Sequence, residues 1–287
     1  MPDWTHLIRF VAVEDEQVHL GQLIDTTRDV GLDSVNGVEI KAYLINGDIF
    51  SGKVTQFVYT VRKLLSPVAR EQCSYIRCLG LNYKDHAKEA NLQLPKEPVL
   101  FSKPRTALIG PYPTAITIPK CAQDDTTDYE AELCVVIGKY GRDIPDEEAL
   151  DYVLGYTASN DVSARELQLA NSQWTFGKGL DNSCPIGPVL VSPSVIPDPQ
   201  QLSIKAIYNG NTLQDGHTRD MIFKIKKQIS YLSQGTTLEP GTIFLTGTPA
   251  GIGYFRNPRV YLEDGSDIRV EIEKIGTLVS KVRYESL

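Results

Sequence analysis

Apolar and polar positions alternate through the first part of the chain, as in Ile8-Arg9-Phe10-Val11-Ala12-Val13 and His19-Leu20-Gly21-Gln22-Leu23-Ile24. A period of two marks strands with one covered face, and the acidic turn Glu14-Asp15-Glu16 between the runs predicts a hairpin. Gly52 to Leu65 predicts a helix that stops near Ser66-Pro67, because proline disfavours helical geometry at the residue before it. Residues 1–70 therefore read as a small N-terminal α+β unit. From Cys73 the texture changes to short β-branched runs separated by Gly, Pro, Asn and Asp: Thr114 to Ile118, Leu133 to Ile137, Pro188 to Val191, Ile204 to Tyr208, Thr242 to Thr246 and Ile268 to Ile272. Few helices interrupt it, the clearest being Pro145 to Leu154 and Met221 to Leu232, and residues 91–98 and 211–220 read as loops. Many strands and few helices, without regular β-α alternation, predict a mixed, β-rich α+β fold. Residues 71–287 then form a sandwich or barrel-like domain rather than a doubly wound sheet.

Composition narrows the function classes. The 287 residues carry 29 Lys+Arg against 36 Asp+Glu, a net charge of −7, so the basic footprint of a nucleic-acid-binding protein is missing. The longest apolar runs, such as Leu133 to Ile137, fall far short of the ~18 to 20 residues that span a bilayer, so no membrane partner is expected. The N-terminus has no basic segment leading an apolar run, so it predicts no secretory leader and a mature chain starting near Met1. Five cysteines form no C-x-x-C pair, which favours a reducing, cytoplasmic setting, with the mitochondrial matrix compatible.

Asp128-Tyr129-Glu130-Ala131-Glu132-Leu133-Cys134-Val135-Val136-Ile137 is the most informative segment. On a strand, Ala131, Leu133, Val135 and Ile137 line one face while Glu130 and Glu132 project together on the other. Two carboxylates so placed repel unless something neutralises them, and a divalent cation does so at once. A third acid, Asp161, follows the apolar run Val153 to Ala158. Three hard oxygen donors suit Mg²⁺, Mn²⁺ or Ca²⁺. A solvent-facing glutamate pair on an edge strand gives the same spacing.

His86 and Glu89 stand three residues apart in a helix-compatible stretch, so one face would bring them together as a pair able to hold and deliver a proton, or merely as surface neighbours. Lys178 lies between Gly177 and Gly179 and is a candidate for neutralising a substrate carboxylate, for a Schiff base, or for a plain loop position. Thr246-Gly247-Thr248-Pro249 is neither a P-loop nor a dinucleotide fingerprint. Its backbone donors and the Thr248 hydroxyl could bind an anion, or form only a tight turn.

Together these segments resemble the fumarylacetoacetate hydrolase family over roughly residues 73 to 285. The carrying motifs are Gly80-Leu81-Asn82-Tyr83 with His86 and Glu89, Phe101-Ser102-Lys103-Pro104, Tyr129 to Leu133, Asn160-Asp161-Val162-Ser163-Ala164-Arg165, Gly177-Lys178-Gly179, Pro185-Ile186-Gly187-Pro188, Thr246 to Pro249 and Gly276-Thr277-Leu278. The wording at Leu94 to Pro98 and Phe255 to Pro258 is similar to the fumarylacetoacetate hydrolase domain-containing branch, which includes oxaloacetate tautomerases. The resemblance implies a β-sandwich roll, a homodimer, and a divalent metal, most often Mg²⁺, on Glu130, Glu132 and Asp161. It implies substrate contacts at Gln168, Lys178 and Thr248, with the Gly247 backbone beside them, and a proton-transfer dyad of His86 and Glu89 on a lid. Leu81 stands where some family decarboxylases and acylpyruvases have arginine, which leans the expectation toward tautomerisation or isomerisation of a small-molecule 2-oxo acid resembling oxaloacetate. C–C hydrolysis or decarboxylation through the same enolate, a Lys178 Schiff-base lyase, and a catalytically silent metal-binding scaffold are the alternatives.

Overall fold

A computed structural model describes residues 2–286 of the chain. The predicted hairpin is present as β1 (His6–Ala12) and β2 (Val18–Leu23), followed by a short helix α1 (Val30–Val35) and strands β3 (Lys41–Asn46) and β4 (Lys53–Leu65). The helix expected over 52–65 is thus a thirteen-residue strand. Its Val54, Thr55, Val58, Thr60 and Val61 are β-branched and stiff at χ1, and pairing with β3 and β1 decides the conformation. Because β2 pairs with both β1 and β3, the first four strands close on themselves.

The rest of the chain adds β5 (Ile76–Gly80), α2 (Lys84–Glu89), β6 (Val99–Lys103), β7 (Leu108–Ile109), β8 (Ala115–Ile118), β9 (Thr127–Asp128), β10 (Ala131–Ile137) and β11 (Val153–Asn160). After these come β12 (Ser163–Ala164), α3 (Arg165–Leu169), α4 (Thr175–Lys178), β13 (Cys184–Val191), β14 (Ser203–Tyr208), β15 (Asn211–His217), α5 (Ile225–Leu232), β16 (Ile243–Leu245), β17 (Asp267–Ile272) and β18 (Gly276–Tyr284). The helix expected from Pro145 to Leu154 shrinks to one 3₁₀ turn at Ala149–Tyr152, because Val153 and Leu154 are recruited into β11. The helix expected from Met221 begins only at Ile225. Residues 211–217, expected as loop, pair with β14 through a turn at Asn209-Gly210, both with positive φ, the geometry that two-residue hairpin turns require.

The large sheet runs β2-β3-β4-β1-β13-β11-β10-β16-β5-β6, with β7 on β13, and a second sheet runs β15-β14-β17-β18-β8. Residues 1–70 therefore share one sheet with the remainder through the β1–β13 pairing. The sheets face each other, with β10 and β11 against β14 and β17. Leu133, Val135 and Ile137 join Ile204, Ala206, Val270 and Ile272 in the core between them. Cys134 and Val136 point the other way, into a second cluster with Ile76, Cys78 and Leu245. Every residue of β10 is buried, so the alternation seen in the sequence separates two interiors rather than interior from solvent.

Candidate active site

The start of β10 and the end of β11 bring three acids together. Glu130, Glu132 and Asp161 each place a carboxylate oxygen within 4.8 Å of the others, and all three are buried. An edge-strand pair facing solvent is therefore excluded, since β10 lies in the middle of the sheet between β11 and β16.

Counter-charges arrive from distant parts of the chain. Lys178 Nζ lies 3.0 Å from Glu130 Oε2 and 2.8 Å from Asp161 Oδ2. Arg165 donates from Nη1 to Glu130 Oε1 at 2.6 Å and to Gln168 Oε1 at 3.1 Å, and from Nε and Nη2 to Asp128 Oδ2 at 3.0 and 2.8 Å. Lys103 Nζ donates to the carbonyls of Val162 and Ser183 and forms an ion pair with Asp161 Oδ1 at 2.8 Å. Close approach of the two short helices makes the lysine contacts possible: a Cβ on Gly177 would lie 2.4 Å from the backbone nitrogen of Gln168. Burial would weaken the charge on Lys178, but Asp161 and Glu130 outweigh it and hold the ammonium above its ordinary range. An ammonium so pinned is unsuited to Schiff-base chemistry, which needs the free amine.

Four buried carboxylates, Asp128, Glu130, Glu132 and Asp161, face three buried cations, Lys103, Arg165 and Lys178. Burial pushes the Asp128 carboxyl up, but both its oxygens accept only from N–H donors, Arg165 foremost, which favours the ionised form. The unmatched group is Glu132. Its Oε2 accepts from Gly247 N at 2.7 Å, whereas Oε1 is buried with no hydrogen-bonding partner among the described residues. Burial, then Asp161 and Glu130, push its carboxyl well above the usual range. On Glu130, burial acts in the same upward direction but Lys178 and Arg165 prevail and hold it well below that range. An orphaned carboxylate oxygen beside two other acids, in a cluster one positive charge short, fits a divalent cation.

The remaining sequence candidates converge on one cavity of about 270 Å³, lined by His86, Glu130, Arg165, Gln168, Lys178 and Thr248 together with apolar side chains. His86, on α2, is buried, and its Nδ1 lies 3.2 Å from Glu89 Oε2. Glu89 Oε1 accepts from Gly251 N at 2.9 Å, which fixes α2 to the glycine-rich loop. The dyad is therefore not a surface pair. With Nδ1 engaged, Nε2 is the nitrogen left to exchange a proton with a ligand. Thr248 Oγ1 donates to Ala131 O at 2.9 Å and accepts from Gln214 Nε2 at 2.7 Å, so its proton is committed to the scaffold. The Gly247 N–H, placed by the resemblance beside the substrate contacts, donates to Glu132 Oε2.

Sequence reasoning gave no role to Asp128, Lys103, Arg165 or Gln214. Asp128 ties Arg165 to the N–H groups of Gly253 and Tyr254, and Gln214 ties Ala131 to Thr248 and Pro249. Gln214 lies on β15, whose Asn-Gly turn was the available signal. The others had none beyond their place in a motif.

The model of the fumarylacetoacetate (FAA) hydrolase C-terminal family matches residues 75–283. Caffeoylpyruvate hydrolase of Neonothopanus nambi is 49% identical over 98% of this chain and 94% of its own length. The mitochondrial oxaloacetate tautomerase Fahd2a of Rattus norvegicus is 43% identical over 76% of this chain and 68% of its own length. Among solved structures, the 2-hydroxyhepta-2,4-diene-1,7-dioate isomerase of Mycobacterium marinum superposes with a TM-score of 0.81 at 32% identity, covering 99% of this chain and all of that one (100%).

Proposed function

The chain belongs to the fumarylacetoacetate hydrolase family of enzymes, and from that premise we propose that it moves a proton at the carbon next to the carbonyl of a 2-oxo acid, by way of an enolate. The observation that carries this reading is that His86, held by Glu89, and Glu130, one of the three clustered acids, line the same cavity. A divalent cation held by the three acids, Mg²⁺ first and Mn²⁺ or Ca²⁺ otherwise, would supply Lewis-acid polarisation of the 2-oxo group. Lys178 and Gln168 hold the anionic head, and Arg165 keeps Glu130 and Gln168 in place. His86 takes and returns the proton through Nε2, while Glu89 fixes the ring.

Returning the proton to another position completes a keto–enol tautomerisation or a double-bond isomerisation. A second reading, C–C hydrolysis of an acylpyruvate, is favoured by the 49% identity to caffeoylpyruvate hydrolase over 98% of the chain. There His86 takes a proton from water, the hydroxide adds to the distal carbonyl, and the C–C bond breaks toward the pyruvate enolate, which is then protonated. Loss of carbon dioxide would lead to the same enolate.

The test is a Mg²⁺-dependent screen of oxaloacetate and acylpyruvates, read by enol absorbance and by product acid. EDTA treatment should abolish turnover, and full activity without metal would overturn the scheme. His86→Ala should slow solvent-deuterium exchange at the substrate carbon by about 10²-fold while Mg²⁺ affinity by calorimetry holds. An unchanged exchange rate would remove His86 from the role.

A further inference from the structure

We propose that the cavity selects a 2-oxo acid with one carboxylate, at its head, and an uncharged planar tail, and that Trp174 is the residue that determines this preference. The inference rests on the 2-oxo acid reading for the head and adds the chemical class of the tail. Apart from the polar residues that serve the head, and Tyr254, the lining is apolar: Leu81, Leu92, Phe101, Trp174, Ile252 and Phe255 carry most of it.

Charge excludes a second carboxylate. Among the described residues, the cationic side chains that line the cavity are Arg165 and Lys178, with His86 as the third basic group. Arg165 is engaged by Asp128 and Glu130, Lys178 by Glu130 and Asp161, and His86 by Glu89. A distal carboxylate would find no unpaired cation in this wall, only the Tyr254 hydroxyl, and one neutral donor does not offset the cost of burying a charge. The wider balance agrees. One divalent cation turns the cluster's single negative excess into a single positive excess, and one head carboxylate neutralises it. A dicarboxylate overshoots.

Shape selects a flat tail. The Trp174 ring packs directly on the backbone of Gly80, where a Cβ would lie 2.4 Å from its Cζ3 atom. It meets Phe101 edge-on, with ring centroids 5.8 Å apart. Its carbonyl accepts from Lys178 N at 3.0 Å, so the ring stands one turn before the lysine that holds the head. An indole held by Gly80 and Phe101, on a backbone anchored to Lys178, presents an aromatic surface on which a planar acyl group can stack. Leu92 and Phe255 are half exposed at 52% and 44%, an apolar rim whose cover a tail of this kind would provide.

The test uses the Mg²⁺-loaded full chain with benzoylpyruvate, acetylpyruvate and oxaloacetate as probes. Binding is read by calorimetry and by tryptophan fluorescence, and turnover is followed in parallel. Benzoylpyruvate should bind at least about tenfold more tightly than oxaloacetate, and Trp174→Ala should cut the ratio of benzoylpyruvate to acetylpyruvate affinity by about tenfold. Trp174→Phe should recover most of that ratio. Leu81→Arg, which places a cation in the apolar wall, should shift preference toward oxaloacetate and serves as the check if Trp174→Ala does not fold. Oxaloacetate binding as tightly as benzoylpyruvate, or Trp174→Ala lowering both affinities equally, overturns the inference. A protein that binds benzoylpyruvate selectively yet turns over none of the probes overturns the proposed reaction and leaves the tail preference standing.

Discussion

Glu132 is where the site balances. Its partner-free Oε1 lies buried beside Glu130 and Asp161, and the basic residues nearby are already engaged with the other acids. Glu132→Gln keeps an acceptor for the Gly247 N–H and removes the one charge in excess. Mg²⁺ affinity should fall on the order of 100-fold, while the metal-free protein unfolds at the same temperature or higher, because a buried uncompensated carboxyl is replaced by a neutral one. Thermal melts with and without Mg²⁺ check both halves, and a variant still stabilised by Mg²⁺ would remove Glu132 from the ligand set. The alternation around Leu133 was enough to place Glu130 and Glu132 on one face. It could not supply Arg165, Lys178 and Lys103, because these counter-charges lie 35, 48 and 27 positions from Glu130 and reach the acid cluster only through folding.

Elements differ in how openly the sequence announces them. The β1–β2 hairpin was legible because its turn is polar and its strands alternate. The segment 53–65 was not, since its apolar spacing suits a helix face as well as a strand, and only the pairing with β3 and β1 decides. The link between β9 and α3 shows what such pairing builds. Asp128 at the end of β9 receives the guanidinium of Arg165 at the start of α3, and both its oxygens also accept loop N–H groups. Asp128→Asn takes one of two charge partners from the buried Arg165, leaving Glu130 alone, and should cost about 3 kcal/mol in stability. Urea unfolding measures it. A loss below about 1 kcal/mol would show that the strut does not matter to the fold.

At the scale of the molecule, the N-terminal strands continue the sheet that carries the acids, through β1 on β13. No helix among the described residues is long and apolar enough to cross a membrane. We propose a homodimer on the family's example, and light scattering should then return about twice the 31.9 kDa of one chain. A monomeric mass at micromolar concentration would refute it. By itself the sequence determined the β-rich class, the strand that carries two glutamates on one face, the third acid at the end of a neighbouring run, and the spacing of His86 and Glu89. These are local properties, set by periodicities of two and of 3.6 residues. Only the tertiary structure decided that the glutamate face is interior, that one carboxylate lacks a counter-charge, that the Gly247 N–H donates to Glu132, and that Trp174 walls the cavity. Each depends on groups far apart in the chain, and burial gives their charges a strength that no local pattern encodes.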